Sequence, residues 1–428
     1  MRFADSLRVA PFALAIAALT LAPAARAQAP GDDSAAYEPM SFAGDAASTT
    51  GCGSATNFGS GNTAVLYVDG YPCVPADYPD YDQPYTNVKI CAPGSTTNCQ
   101  VIDHVIVDSG SVGVRFIGST IKKALLSALP AVTEGPNPIT ECEIYVSSFI
   151  YGPLKKADIY WAGKVARNFP VQIGGAAGFP IPTDCSSQGG SPTNDTASFD
   201  SNGLIGVAFP LVDTGIYYTC NSKGAKCAEN YYGGIPNLIG AFSSDNNGVT
   251  MTMPQISLNG SATPAIGSLV FGVGTEANNK PPAGTVPLFN NSDGLFHMQI
   301  GSSKATAYID SGTNTMSIAG TYPVCTDPGG NGFFCPKSNT PLAVGMYSIS
   351  QTKPQFTVGY TMGNGSALLN LGYVAYNDLV GIADSSTTAG NAFALGLSNF
   401  FGHTMYFVFN SRKSSLGTGP INAVSPQK

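Results

Sequence analysis

The chain has 428 residues, of which 43% are hydrophobic and only 11% charged, with 50 Gly and 31 Pro. That length exceeds one ordinary core and predicts two domains or one large bilobal unit, and the hydrophobicity excludes disorder except at the ends. The formal net charge of −7 argues against nucleic acid and anionic lipid as partners.

Residues 1–27 read as a signal peptide. Arg2 and Arg8 give a positive start, residues 11–21 are apolar but too short for an anchor, and Ala25-Arg26-Ala27 is a small-x-small cleavage pattern. The expectation is an exported chain, periplasmic or extracellular, with no integral membrane segment once the leader is removed. Ten cysteines in an exported chain predict disulfides. Near-neighbour spacing suggests Cys91–Cys99, Cys220–Cys227 and Cys325–Cys335, and leaves Cys52, Cys73, Cys142 and Cys185 open. No C-x-x-C occurs and the only histidines are His104, His297 and His403, so neither metal nor cofactor is expected.

Residues 28–62 are rich in Ala, Gly, Ser and Asp, without Lys or Arg, and read as a flexible lead-in. A first lobe is expected over 63–215, with strand-like runs at 63–69, 86–91, 101–107, 143–150 and 157–161 and one short helix within 119–129. Residues 216–248 form a disulfide-clipped excursion between lobes. A second lobe is expected over 249–418, with runs at 249–253, 267–272, 295–300, 305–309 and 404–410, and residues 419–428 read as a tail. Period-two alternation, abundant turn residues and the lack of long helical periods make the fold all-β.

A weak internal repeat is the most informative feature. His104-Val-Ile-Val-Asp108-Ser-Gly-Ser111 and Ala307-Tyr-Ile-Asp310-Ser-Gly-Thr313 are both apolar strands running into Asp-Ser-Gly-Ser/Thr. One Asp-Ser-Gly alone is an ordinary turn. Each copy here has a later companion, Leu204-Ile-Gly206 and Ala394-Leu-Gly396, where a glycine lets a strand thread beside a loop.

These residues resemble the pepsin-like aspartic peptidases over roughly residues 63–420. Gly267-Ser-Leu-Val-Phe-Gly272 is similar to the strand that opens their second lobe. Asp82-Gln-Pro-Tyr85 and Cys91-Ala-Pro-Gly94 are similar to a bacterial exported family catalogued as domain of unknown function 3443. The resemblance implies two β-barrel-like lobes with a cleft between them, a peptide or protein substrate, and a monomer. It implies that Asp108 and Asp310 are the catalytic pair around one water molecule. Ser109 and Ser311 would lock the two loops together, and Gly110 and Gly312 would let them approach. Ser111 and Thr313 would donate to the outer carboxylate oxygens, which favours the charged form. A flap tyrosine followed by glycine is expected at Tyr151 and Gly152, with Phe149 or Tyr145 taking the place if the register shifts. Val112-Gly-Val-Arg-Phe116 departs from the family's Ser-x-Leu-Trp-Val, and the single Trp is Trp161. The lead-in lacks the basic residues of a conventional pro-segment, so zymogen control of that kind is not expected.

Two carboxyls held close share a proton, so one takes a proton from water while the other donates to the amide carbonyl. A Ser-His-Asp hydrolase is disfavoured, since no G-x-S-x-G occurs and histidines are few. The rival of another class is a catalytically silent protein of the same fold that binds a peptide, glycan or partner protein.

Overall fold

Strands hold 45% of the described residues and helices 10%, in keeping with the alternation in the sequence. The computed structural model describes residues 58–71, 80–146, 148–221, 226–230, 232–383 and 392–426. The expected signal peptide, nearly all of the lead-in, Cys52 and Cys73 lie outside the described residues.

Six strands of the first lobe close into a barrel. Tyr85–Cys91 pairs with Cys99–Asp108, which runs parallel to Gly203–Val207. Gly203–Val207 also pairs antiparallel with Val112–Ile117, and that strand runs parallel to Lys164–Gly174. Lys164–Gly174 forms a hairpin with Ser148–Trp161, which returns to Tyr85–Cys91. Closure leaves no exposed edge, and the interior is filled by Val105, Val107, Val114, Phe116, Ile159 and Ile173. Trp161 is fully buried in this core, its indole N–H donating to Thr86 Oγ1 at 3.1 Å. The helix expected within 119–129 is the short Lys123–Ala128.

The second lobe is an open, seven-stranded half-barrel. Ser303–Ile309 lies inside it, antiparallel to Phe296–Ile300 on one side and parallel to Phe393–Leu395 on the other.

A further run of strand pairings extends the sheet of the first lobe. Thr63–Val68 pairs with Ala265–Phe271 and, at Tyr67, with Tyr85 of the first lobe. Gly248–Thr252, His403–Val408 and Ile421–Pro426 continue that sheet. The expected tail is therefore largely a strand. Its physical cause is a short alternation, in which Ile421 and Ala423 pack in one cluster with Val273, Tyr406 and Val408.

Residues 216–248 are likewise more than a passage between lobes. Ile216–Cys220 pairs with Asn137–Ile144 of the first lobe and with Cys227–Glu229. The three near-neighbour disulfides form as spaced, and the open cysteines resolve into Cys142–Cys185. Among the described residues no helix is long and apolar enough to cross a membrane.

Candidate active site

Asp108 ends the strand Cys99–Asp108, and Asp310 directly follows Ser303–Ile309. The two Asp-Ser-Gly loops leave their barrels at equivalent places and meet between the lobes. Ser109 N donates to Ser311 Oγ at 2.9 Å, and Ser311 N donates to Ser109 Oγ at 2.9 Å. The same hydroxyls reach the opposite strands: Ser311 Oγ donates to the Val107 carbonyl at 2.7 Å and Ser109 Oγ to the Ile309 carbonyl at 3.3 Å. Both hydroxyls are thereby satisfied within a buried interface, where an unpaired group would be costly.

Each carboxyl is held by its own loop. Asp108 Oδ1 accepts from Gly110 N at 2.7 Å, and its Oδ2 accepts from the Ser111 hydroxyl. Asp310 Oδ1 accepts from Gly312 N at 2.8 Å, and its Oδ2 from Thr313 Oγ1 at 2.7 Å. The glycines are required by close approach. A Cβ on Gly110 would lie 2.7 Å from Asp310 Cγ, and one on Gly312 would lie 2.6 Å from Asp108 Oδ1. Behind the loops, Gly206 faces Asp108 in the parallel register, and Gly396 follows the strand that flanks Asp310.

Burial pushes the Asp310 carboxyl well above the usual carboxylate range, and the Asp108 charge and a hydrogen bond to Asp108 push it further. Thr313 and Gly312 pull the other way. Two carboxyls this close do not both ionise cheaply, so the charge on one opposes the charge on the other. The N-terminal lobe also braces the second loop. Asn314 Nδ2 donates to the Tyr81 carbonyl, and Gln83 Nε2 reaches the Gly312 carbonyl at 3.5 Å.

The expected flap residues fall elsewhere. Asn137–Ile144 and Ser148–Trp161 form a hairpin in which Ile144 faces Phe149 and Tyr145 N donates to the Ser148 carbonyl at 2.8 Å, so Tyr145 and Val146 lie at its turn. Tyr151 lies along the second arm, opposite Cys142, with its hydroxyl on Thr140 Oγ1 at 2.9 Å. It is buried in a cluster with Phe149, Tyr218 and the Cys142–Cys185 pair. Gly152 is a packing position, since a Cβ there would lie 1.8 Å from the Ile173 carbonyl oxygen. Tyr145, the alternative register, stands at the turn beside the exposed Val146 and lies close enough to Asp108 for that charge to raise its hydroxyl pKa. Arm length, not residue count, sets where a hairpin turns, and this register puts Tyr145 nearer the turn than Tyr151.

A charged cluster beside the first loop escaped the sequence reading. Arg115, fully buried on Val112–Ile117, places its guanidinium 2.8 Å from Glu141, 3.1 Å from Glu143 and 3.2 Å from Asp213. Oxygens of these three carboxyls lie within 4.8 Å of one another, a metal-like grouping in which the guanidinium supplies the positive charge. Burial raises the Glu143 pKa to about 7, with Asp213 and Asp108 adding to the effect and Arg115 opposing it. The one signal available was the arginine itself, interrupting the apolar run Val112–Phe116. His104 is a separate, buried ion pair, 3.1 Å from Asp69 and 3.4 Å from Asp103. Burial lowers its pKa, but hydrogen bonds and charge from Asp103 and Asp69 win and raise it to about 9.

The profile of the family described as "Protein of unknown function (DUF3443)" matches residues 59–424. The chain belongs to this family. No curated protein matches it. Among solved structures, it is similar to the aspartic proteinase from Irpex lacteus, with 12% identity, 86% of this chain and 98% of that chain covered, and a TM-score of 0.47. The architecture of this DUF3443 protein is all-β, a closed six-stranded barrel and a half-barrel sheet.

Proposed function

We propose that this DUF3443 protein is an exported aspartic-type endopeptidase. The observation that carries the reading is the pair Asp108 and Asp310, in hydrogen-bond contact at a loop-to-loop interface, each held by a backbone N–H and a hydroxyl. With one proton on the pair, the ionised carboxyl removes a proton from a bound water as its oxygen attacks the amide carbon. The protonated carboxyl passes its proton to the carbonyl oxygen, giving a gem-diol. The proton taken from water then goes to the amide nitrogen as the C–N bond breaks, one gem-diol hydroxyl gives its proton to the other carboxylate as the product carboxyl forms, and the pair again holds a single proton. Because the two groups titrate together, either assignment of base and acid is chemically equivalent. The hairpin end that carries Tyr145 and Val146 is the candidate flap that limits water over the pair. The four disulfides fit an oxidising compartment, periplasmic or extracellular.

The test is cleavage of an unfolded protein at acidic pH by the purified chain. A statine-type transition-state mimic is expected to block it, and Asp108→Asn and Asp310→Asn each to abolish it with the fold intact. No cleavage of several substrates from about pH 2 to about pH 8 overturns the reading in favour of a silent binding protein.

A further inference from the structure

Arg115 links three separate parts of the first lobe. Its Nη1 donates to the Val112 carbonyl at 2.6 Å, where the first Asp-Ser-Gly loop re-enters the barrel. Its Nη2 holds Glu141 and Glu143, both on the flap strand Asn137–Ile144, and Asp213 from the segment beyond Gly203–Val207. Tyr217 closes the cluster from the far side, its hydroxyl bonding Asp213 and lying 3.2 Å from Glu141 Oε1.

Two glycines make room for this arrangement. Gly113 has φ +103°, and a Cβ there would stand 2.9 Å from Asp213 Oδ2 and 3.0 Å from Arg115 Nη1. A Cβ on Gly215 would stand 2.7 Å from Glu141 Oε1 and 3.0 Å from Glu143 Oε2. A guanidinium taken wholly out of water persists only when paired, and its planar fork fixes the partners' directions as well as their charge. Hydrophobic side chains of similar volume would hold the barrel together as well as the cluster does. What such a cluster adds is geometry, because it joins the flap strand to the dyad loop through one rigid plane. Glu143 is the member nearest the cleft, with a 13% exposed side chain and the charge of Asp108 acting on it. Tyr145 follows two residues later, its buried hydroxyl without a hydrogen-bond partner and within electrostatic reach of Arg115, Glu143 and Asp108.

We propose that Arg115 is a positioning residue, clasping the flap strand to the first dyad loop so that Tyr145, at the hairpin's turn, is held over Asp108 and Asp310. An ionic clasp thus stands at the position where the resembling peptidases carry a tryptophan. The kinetic consequence rests on the endopeptidase reading; the clasp itself does not. The groups facing the guanidinium are Glu141, Glu143, Tyr145, Asp213 and Tyr217, with Asp108 beyond Glu143. Glu141 and Asp213 lie within hydrogen-bond reach of each other, and burial raises Glu141 well above its ordinary range. Three carboxyls therefore need not all be ionised around one cation, and Glu143 is the arm of the clasp that gains its charge as pH rises past about 7.

The experiment compares the full chain with Arg115→Lys and Glu143→Gln by hydrogen exchange and steady-state kinetics. Arg115→Lys keeps the charge and loses the fork. At about pH 8, amides of 137–146 are expected to exchange about tenfold faster or more in Arg115→Lys, with Lys164–Gly174 and Phe296–Ile300 unchanged. In the wild type the protection of 137–146 is expected to fall between about pH 5 and about pH 8, because burial disfavours ionised Glu143, and Glu143→Gln is expected to remove that pH dependence. KM for a peptide substrate should rise about tenfold in Arg115→Lys while kcat changes less than about threefold. Unchanged exchange over 137–146, or faster exchange spread evenly through the barrel, overturns the proposal. If Arg115→Lys does not fold, Glu143→Gln decides: loss of the pH dependence over 137–146 alone supports the clasp, and its persistence overturns it. If the wild type cleaves nothing, the endopeptidase reading falls and the exchange data still judge the clasp.

Discussion

The two halves of the acid pair are built alike at their centre and differently behind it. Asp108 and Asp310 each accept one loop N–H and one hydroxyl, and their loops exchange the same serine bonds. Behind Asp108 stands a closed barrel with a buried guanidinium and three carboxyls. Behind Asp310 stands an open half-barrel, with the loop's next residue, Asn314, leaning on the Tyr81 carbonyl of the other lobe. The inner arrangement is what paired-carboxyl chemistry demands, so it is duplicated. The outer surroundings only have to hold it still, and two different solutions serve.

The strongest way to break the likeness of the halves is to remove one acid at a time. Asp108→Asn and Asp310→Asn should each lower kcat/KM by about 10⁴-fold, measured on one peptide with circular dichroism showing an intact fold. Equal losses mean a coupled pair; a large residual activity in one variant means that the halves act separately. Next in size are the linking serines. Ser311→Ala should cost about 2 kcal/mol and Ser109→Ala about 1 kcal/mol in denaturant unfolding, because the Ser311 hydroxyl makes the shorter reach across, 2.7 against 3.3 Å. Equal costs would show that the interface does not distinguish them.

Smaller again is a pH effect confined to the first lobe. Glu143 has its pKa raised from 4.5 to about 7, so its contribution is fully present below 4.5 and is lost as pH rises through 7. His104, raised from 6.5 to about 9, contributes fully below 6.5 and loses that contribution as pH rises through 9. Thermal melts should therefore favour mildly acidic solution, and Glu143→Gln should flatten the curve between 4.5 and 7 without touching the segment above it. The smallest effect is expected from Tyr151→Phe, which should leave kcat/KM within about twofold, since that hydroxyl bonds Thr140 inside the hairpin. A large loss there would restore Tyr151 as the flap residue.

What the sequence disclosed was local. Asp-Ser-Gly after an apolar strand, a later Leu-Ile-Gly, and cysteines seven to ten residues apart each carry their meaning within a short window. What it hid was set by register and by distance along the chain. Tyr145 and Tyr151 are both plausible flap tyrosines until the hairpin's pairing is known. Arg115, Glu141 and Asp213 are separated by dozens of residues, and only the fold gathers them. Ile421–Pro426 was passed over because a six-residue alternation near polar and Gly-rich sequence looks like an end rather than a strand.

The sheet beneath the lobes has a bearing on when the molecule is finished. It takes Thr63–Val68 from the earliest described part of the chain and Ile421–Pro426 from the latest. A nascent polypeptide can close its first barrel while the remainder is still being made, yet the platform under that barrel has to wait for residues added hundreds of steps afterwards. A chain made only halfway ends before Asp310, so it carries no acid couple at all.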